Sequence, residues 1–220
     1  MTRQLTVSDF SIVLPGTWAQ IPLESREAAS ARIGALVKKQ VGMNDRLARH
    51  RRDVRDQLLD AALQAQAIHA LSFAISLELA PGVPFPASML GSRSPWPQPA
   101  ADAAAGLGAA GSAHDARLRV AFPAATFVEG SAGLIARRAG RGTRRWGETS
   151  TQSLSLDYWL PRPDATELLQ FTISAPMVEG YELFTELFDT IVATVRWDAA
   201  LVNTAVRDTD CAPADAAERA

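Results

Sequence analysis

Two-residue alternation of apolar and polar side chains recurs in three separate stretches, Leu5–Leu14, His69–Leu79 and Thr149–Leu160, and predicts strands. Three stripes at helical spacing, within residues 26–41, 44–66 and 179–196, predict amphipathic helices that need a sheet to bury against. Strands that follow one another late in the chain favour antiparallel pairing. Together these observations predict an α+β fold, a mainly antiparallel sheet packed with amphipathic helices as an α/β/α sandwich. The 220 residues suit one domain, read as 1–198, with 199–220 as a disordered tail.

Each element has its own signal. In Leu5–Leu14, Phe10, Ile12 and Leu14 share one face, and Pro15-Gly16-Thr17 signals a turn before Trp18. Ala29, Ile33, Leu36, Val37 and Val41 stripe the first helix, which Gly42 stops; Asn44 is placed to cap the second helix. Leu47, Val54, Leu58, Ala61 and Ala65 mark the buried face of that second helix. Its arginines (Arg46, Arg49, Arg51, Arg52, Arg55) are nearly cancelled by Asp45, Asp53, Asp56 and Asp60, as on an exposed helix face. In His69–Leu79, Leu71, Phe73, Ile75, Leu77 and Leu79 point one way, and the small or polar residues between them predict a lightly covered second face.

From Pro81 to Ala116 six prolines and an Ala-rich run predict a surface excursion, flexible over about 91–116, with Trp96 exposed. Short strands are expected at Arg117–Phe122, Thr126–Glu129 and Gly133–Arg138, and a turn at Gly140-Arg141-Gly142-Thr143. Thr149–Leu160 and residues 167–175 read as one hairpin, the first presenting Leu154, Leu156, Tyr158 and Leu160, the second Leu169, Phe171 and Ile173. The last helix carries Leu183, Phe184, Leu187, Phe188, Ile191, Val192 and Val195.

Composition excludes several classes. The 47% apolar content argues against global disorder, and one cysteine rules out a disulfide framework or a Cys-based zinc site. No signal-peptide core and no long apolar run are visible, so the expected location is the cytoplasm. Arginine outnumbers lysine 20 to 2, yet the formal charge is −2, so the bias reads as compositional and gives no strong nucleic-acid signal.

Chemistry-bearing patterns are sparse. His50, His69 and His114 lack metal-ligand spacing. Gly130-Ser131-Ala132-Gly133 misses the nucleophile-elbow pattern and reads as a β-turn. Gly106-Leu107-Gly108 has no phosphate-binding lysine. No cofactor motif or metal site is expected. The cluster with most physical content is Arg137, Arg138, Arg141, Arg144 and Arg145, followed by Trp146. Around a hairpin turn these guanidinium groups repel one another unless an anion screens them, and a flat Trp beside them suits stacking. The functional reading is a docking tip for an acidic protein, anionic lipid or nucleic acid; the plain alternative is a solvated hairpin end.

Two stretches carry a family resemblance. Ile12-Val13-Leu14-Pro15-Gly16-Thr17-Trp18 and Leu187-Phe188-Asp189-Thr190-Ile191-Val192-Ala193-Thr194-Val195-Arg196-Trp197 are similar to small actinobacterial proteins of the PsbP-like and LpqN-type group. In that group an early P-x-x-W strand turn and a last helix ending F-D-x-I-x-x-T frame an antiparallel sheet. The resemblance implies an α/β/α sandwich with a binding or assembly role, accessory to a larger complex or secretion system. It lends no catalytic residues, and the chain lacks the lipid-attachment cysteine of the lipoprotein members.

The sequence therefore predicts a non-enzymatic binding or assembly module with a protein partner. The alternatives are an enzyme built from scattered residues (Asp157, Ser155, Arg119 or His69) in a sheet–helix pocket, and anionic lipid or nucleic-acid binding through residues 137–146.

Overall fold

The computed structural model describes residues 2–7, 9–42, 44–98, 111–146, 149–164, 166–176, 180–199 and 202. The first elements are a hairpin of β1 (Thr2–Thr6) and β2 (Phe10–Pro15), so the predicted single strand Leu5–Leu14 is in fact parts of two. β3 (Thr17–Gln20) leaves for a second sheet. Gly16 makes that change of sheet possible: its φ is +76°, and a Cβ there would sit 2.0 Å from the Glu78 carbonyl oxygen. Helix α1 (Arg26–Val41) follows, capped by the Ser25 hydroxyl accepting from Ala28 N–H at 3.1 Å and ended at Gly42, φ +79°. A 3₁₀ turn (Asp45–Leu47), in which Asn44 accepts from Arg46 N–H, leads into α2 (Ala48–Ala67).

The remaining elements are β4 (Ser72–Ala80), β5 (Val83–Ser94), α3 (Gly111–Ala121), β6 (Thr126–Gly130), β7 (Gly133–Trp146), β8 (Thr149–Pro161), β9 (Leu168–Pro176), α4 (Tyr181–Ala193) and β10 (Arg196–Trp197). Seven strands form one antiparallel sheet in the order β3-β4-β5-β9-β8-β7-β6; β1-β2-β10 form a small second one. The predicted α+β class with an antiparallel sheet is the fold observed.

One face of the large sheet is closed by β2 and α4. Leu156 and Tyr158 of β8, Phe171 and Ile173 of β9 and Met89 of β5 pack there against Phe10, Ile12 and Phe188. Phe10 meets Phe171 edge-on, at 5.3 Å and 85°. Among the described residues the opposite face is closed only at its ends. At one end α1 and α2 bury Ile33, Leu36 and Leu59 against Ala19 and Phe73. At the other, α3 brings Leu118 to Trp96, Leu134 and Trp159.

Four more expectations need correction here. The excursion 81–116 contains β5, a central strand, and part of α3, so residues 91–98 and 111–116 are regular or packed; residues 99–110 lie outside the described residues. Prolines misdirected the reading of β5, because Pro84 and Pro86 occupy its first half, where it pairs with β4 alone; the β9 ladder begins at Ser88. Arg117–Phe122 is mostly helix rather than strand, since its short alternation also suits one helical turn: Leu118 is buried and Val120 exposed. Trp96 is buried beneath Arg117, whose guanidinium carbon sits 4.0 Å from the ring centroid.

The fourth correction concerns β4. Its small residues Ser72, Ala74 and Ser76 are buried, so the side they occupy is not the lightly covered one. Irregular pairing around Glu78 turns Leu79 onto the Phe10–Phe171 core, away from Phe73, Ile75 and Leu77. The predicted tail lies outside the described residues apart from 199 and 202.

Replacing Phe171 with Ala is expected to lower unfolding free energy by about 3–5 kcal/mol, through lost burial and the cavity left behind. Leu183→Ala, at a side chain 71% exposed on α4, is expected to change it by less than about 0.5 kcal/mol. Urea titration of both variants checks this; equal losses would contradict the assigned core.

Candidate binding cleft

Helices α1 and α2 cover β3 and β4 but stop short of β9 and β8. The step leaves a cleft of about 820 Å³ between their inner sides and the sheet. Its wall is aliphatic: Val41 of α1, Val54, Leu58 and Ala61 of α2, and Ile75 and Leu77 of β4 line it. Its floor is hydroxyl- and proline-rich, with Ser88, Ser153, Ser174, Pro84, Pro86 and Pro176. These floor residues belong to alternate positions whose neighbours Phe85, Ala87, Ile173 and Leu154 fill the closed core, so strand geometry commits them to the open side. The sequence stripe Val54, Leu58, Ala61 is apolar as expected, but half-buried: it faces the opening rather than a filled interior.

Charge is scarce in the cleft. Asp60, exposed at the rim, is the one ionisable group among its described lining residues. Serine hydroxyls without an adjacent base are weak nucleophiles, but they donate and accept hydrogen bonds well. The Ser153 hydroxyl already donates to the Gly142 carbonyl at 3.3 Å.

The scattered enzymatic candidates do not converge on it. Asp157 accepts from the Thr172 hydroxyl at 2.9 Å and from Arg138 at 3.2 Å. Ser155 is two residues away on β8, opposite Gly140 and Ser174. Arg119 lies over the Phe127 ring on α3, and His69, with φ +52°, sits at the turn after α2. His114 belongs to α3 rather than to a loop. Among the described residues no three His, Cys, Asp or Glu side chains are grouped to hold a metal ion. Gly130–Gly133 is the β6–β7 turn the sequence suggested, with Gly133 at φ +103°.

The arginine cluster is arranged differently from the reading. Gly140–Thr143 is extended and paired with β8 throughout, so β7 is one fourteen-residue strand and its arginines run along it instead of gathering at a turn. Gly-rich composition suggested a bend, yet neither Gly140 nor Gly142 has positive φ. Strand alternation separates Arg137 from Arg138. Arg137 pairs with Asp189 of α4 on the closed side, whereas Arg138 reaches Asp157 and the Trp159 ring on the other. Arg141 lies 3.6 Å from the Tyr181 ring centroid. Arg144, Arg145 and Trp146 pair in register with Thr151, Ser150 and Thr149; their side chains lie outside the described residues.

Two further charged groupings fasten the fold. Asp9, in the β1–β2 turn, accepts from Arg93 at 2.8 Å and Arg162 at 2.5 Å, and Arg162 also reaches Asp164 at 3.2 Å. Burial pushes the Asp9 carboxyl up, but the arginine hydrogen bonds outweigh it and hold it below its ordinary value; Asp164 behaves likewise through Arg162 and Thr166. Asp189 accepts from the Tyr158 hydroxyl at 2.8 Å as well as from Arg137. Burial there prevails, leaving the Asp189 carboxyl above its ordinary value and the Tyr158 phenol raised.

Compared with protein-family models, curated proteins and solved structures, the chain matches none. Among the described residues no helix is long and apolar enough to cross a membrane.

The two carboxylate environments give opposite pH dependences. A carboxyl depressed by folding contributes stability that is present above about pH 4 and lost as pH falls below it. A raised one releases its proton less readily when folded, so stability declines as pH rises from about 4 through its folded value. Urea unfolding between about pH 2 and 6 is therefore expected to show a shallower acid-side loss in Asp9→Asn and a shallower decline above pH 4 in Asp189→Asn. Unchanged slopes would contradict these assignments.

Proposed function

We propose that the chain is a non-catalytic binding module that seats an apolar segment of a partner protein in the cleft between α1–α2 and the sheet. The observation that carries the reading is an aliphatic wall left half-open above a serine floor. A soluble domain gains by burying Val54, Leu58 and Leu77, and this architecture leaves that gain to a ligand. The hydroxyls orient a bound chain, and a single rim carboxylate leaves the seat almost uncharged. An accessory role in a larger assembly, implied by the PsbP-like and LpqN-type resemblance, is part of this reading. The lipid or nucleic-acid alternative is weakened by the engagement of Arg137 and Arg138 with acidic side chains.

A photo-crosslinking residue at the exposed rim position Gln57, introduced in the native cell, is expected to capture one discrete protein. Leu58→Arg is expected to cut that yield at least tenfold while the melting temperature stays within a few degrees. Capture that is diffuse, or indifferent to Leu58→Arg, would contradict the cleft as the seat.

A further inference from the structure

The seven-stranded sheet ends unevenly. β6 has five residues and β7 has fourteen, and β6 pairs only with Gly133 to Arg137. Along its inner edge β7 stays paired with β8 as far as Trp146↔Thr149. Along its outer edge, from Arg138 to Trp146, no strand among the described residues pairs with it. We propose that this outer edge is a strand-addition site for an extended, acidic segment of a partner protein.

An antiparallel strand turns the N–H and C=O of alternate residues to the same side, so nine such residues offer roughly four or five outward pairs as a template. Long edges of this kind are usually shortened, bulged or interrupted by proline. This one has no proline between Arg138 and Trp146, and its pairing with β8 runs without a register shift. The remaining protective device is charge, and here charge discriminates between partners. Antiparallel pairing with a second copy of the same strand over its full length would set Arg138 diagonally across from Arg144 and Arg141 diagonally across from Arg145. A segment bearing Asp or Glu meets attraction instead.

The glycines support an incoming chain. Gly140 and Gly142 are exposed and extended, and a Cβ added to them would meet nothing among the described residues closer than 3.9 Å and 3.5 Å. Their own surroundings therefore do not require glycine, and glycine weakens a strand. A low, open stretch is what the side chains of an added strand need. The charge balance agrees. Arg138 already reaches Asp157, and the rest of the edge holds Arg141, Arg144 and Arg145 with Glu148 the one acidic residue between Arg138 and Leu156 in sequence. Arg141 uses its face against Tyr181, which leaves the N–H rim of the guanidinium directed to other acceptors.

The test uses the full chain and three synthetic nine-residue probes: alternating Glu/Val, alternating Lys/Val, and Glu/Val with alternate backbone amides N-methylated. Binding of Glu/Val is expected, weakening with salt, together with slowed amide exchange within 138–146. N-methylation is expected to weaken it at least tenfold, and Lys/Val is expected not to bind. Arg141→Glu with Arg144→Glu is expected to lose at least tenfold with the melting temperature unchanged. Should that variant fail to fold, the N-methylated probe on the wild-type chain still decides. Equal binding of the N-methylated probe would overturn strand addition. So would absence of Glu/Val binding at low salt, or binding only of anionic vesicles or DNA.

Discussion

The structure depends on an inequality between the two faces of one sheet. β2 and α4 close the first face, where Tyr158, Phe171 and Phe188 are fully buried. The second is closed by α1–α2 at one end and α3 at the other. Strands β5, β9 and β8 cross from one helical cover to the other, so along part of their length they are buried on one side only. Between the covers, Met89, Leu154, Leu156 and Ile173 point into the closed core, and Ser88, Ser153, Ser155 and Ser174 occupy positions between them. The cleft is the product of that arrangement.

Much of this was legible. Period two in residues 149–160 and 167–175 located the central hairpin and its buried side, because nothing competes with alternation when one face is closed and the other open. The stripes of α1 and α4 were equally plain, since each buries one side against the sheet. β5 was hidden because proline is a strong turn signal, and only the ladder shows that Pro84 and Pro86 fall where β9 is not yet alongside. β7 was cut short for a similar reason: glycine reads as a turn from composition, whereas here it is extended.

The cleft itself was only half visible. Val54, Leu58 and Ala61 announced an apolar side of α2, but a stripe cannot say whether it meets a filled core or an opening. That depends on how far the helix pair reaches across the sheet, a property of packing between segments far apart in sequence. The arginines were visible as a cluster, and their roles were not. Arg137 and Arg138 are neighbours in sequence and lie on opposite faces, each held by an acidic residue, Asp189 or Asp157, from a different element.

The direct measurement of the central claim is the accessibility of the two faces of β9 in the native chain. With Cys211 replaced by Ser, single cysteines are placed at Ser174, on the open side, and at Ile173, in the closed core. Rapid reaction of a thiol reagent at 174, with 173 protected until the protein unfolds, is the expected result. Equal protection at both positions would mean that the second face is closed and that the cleft does not exist.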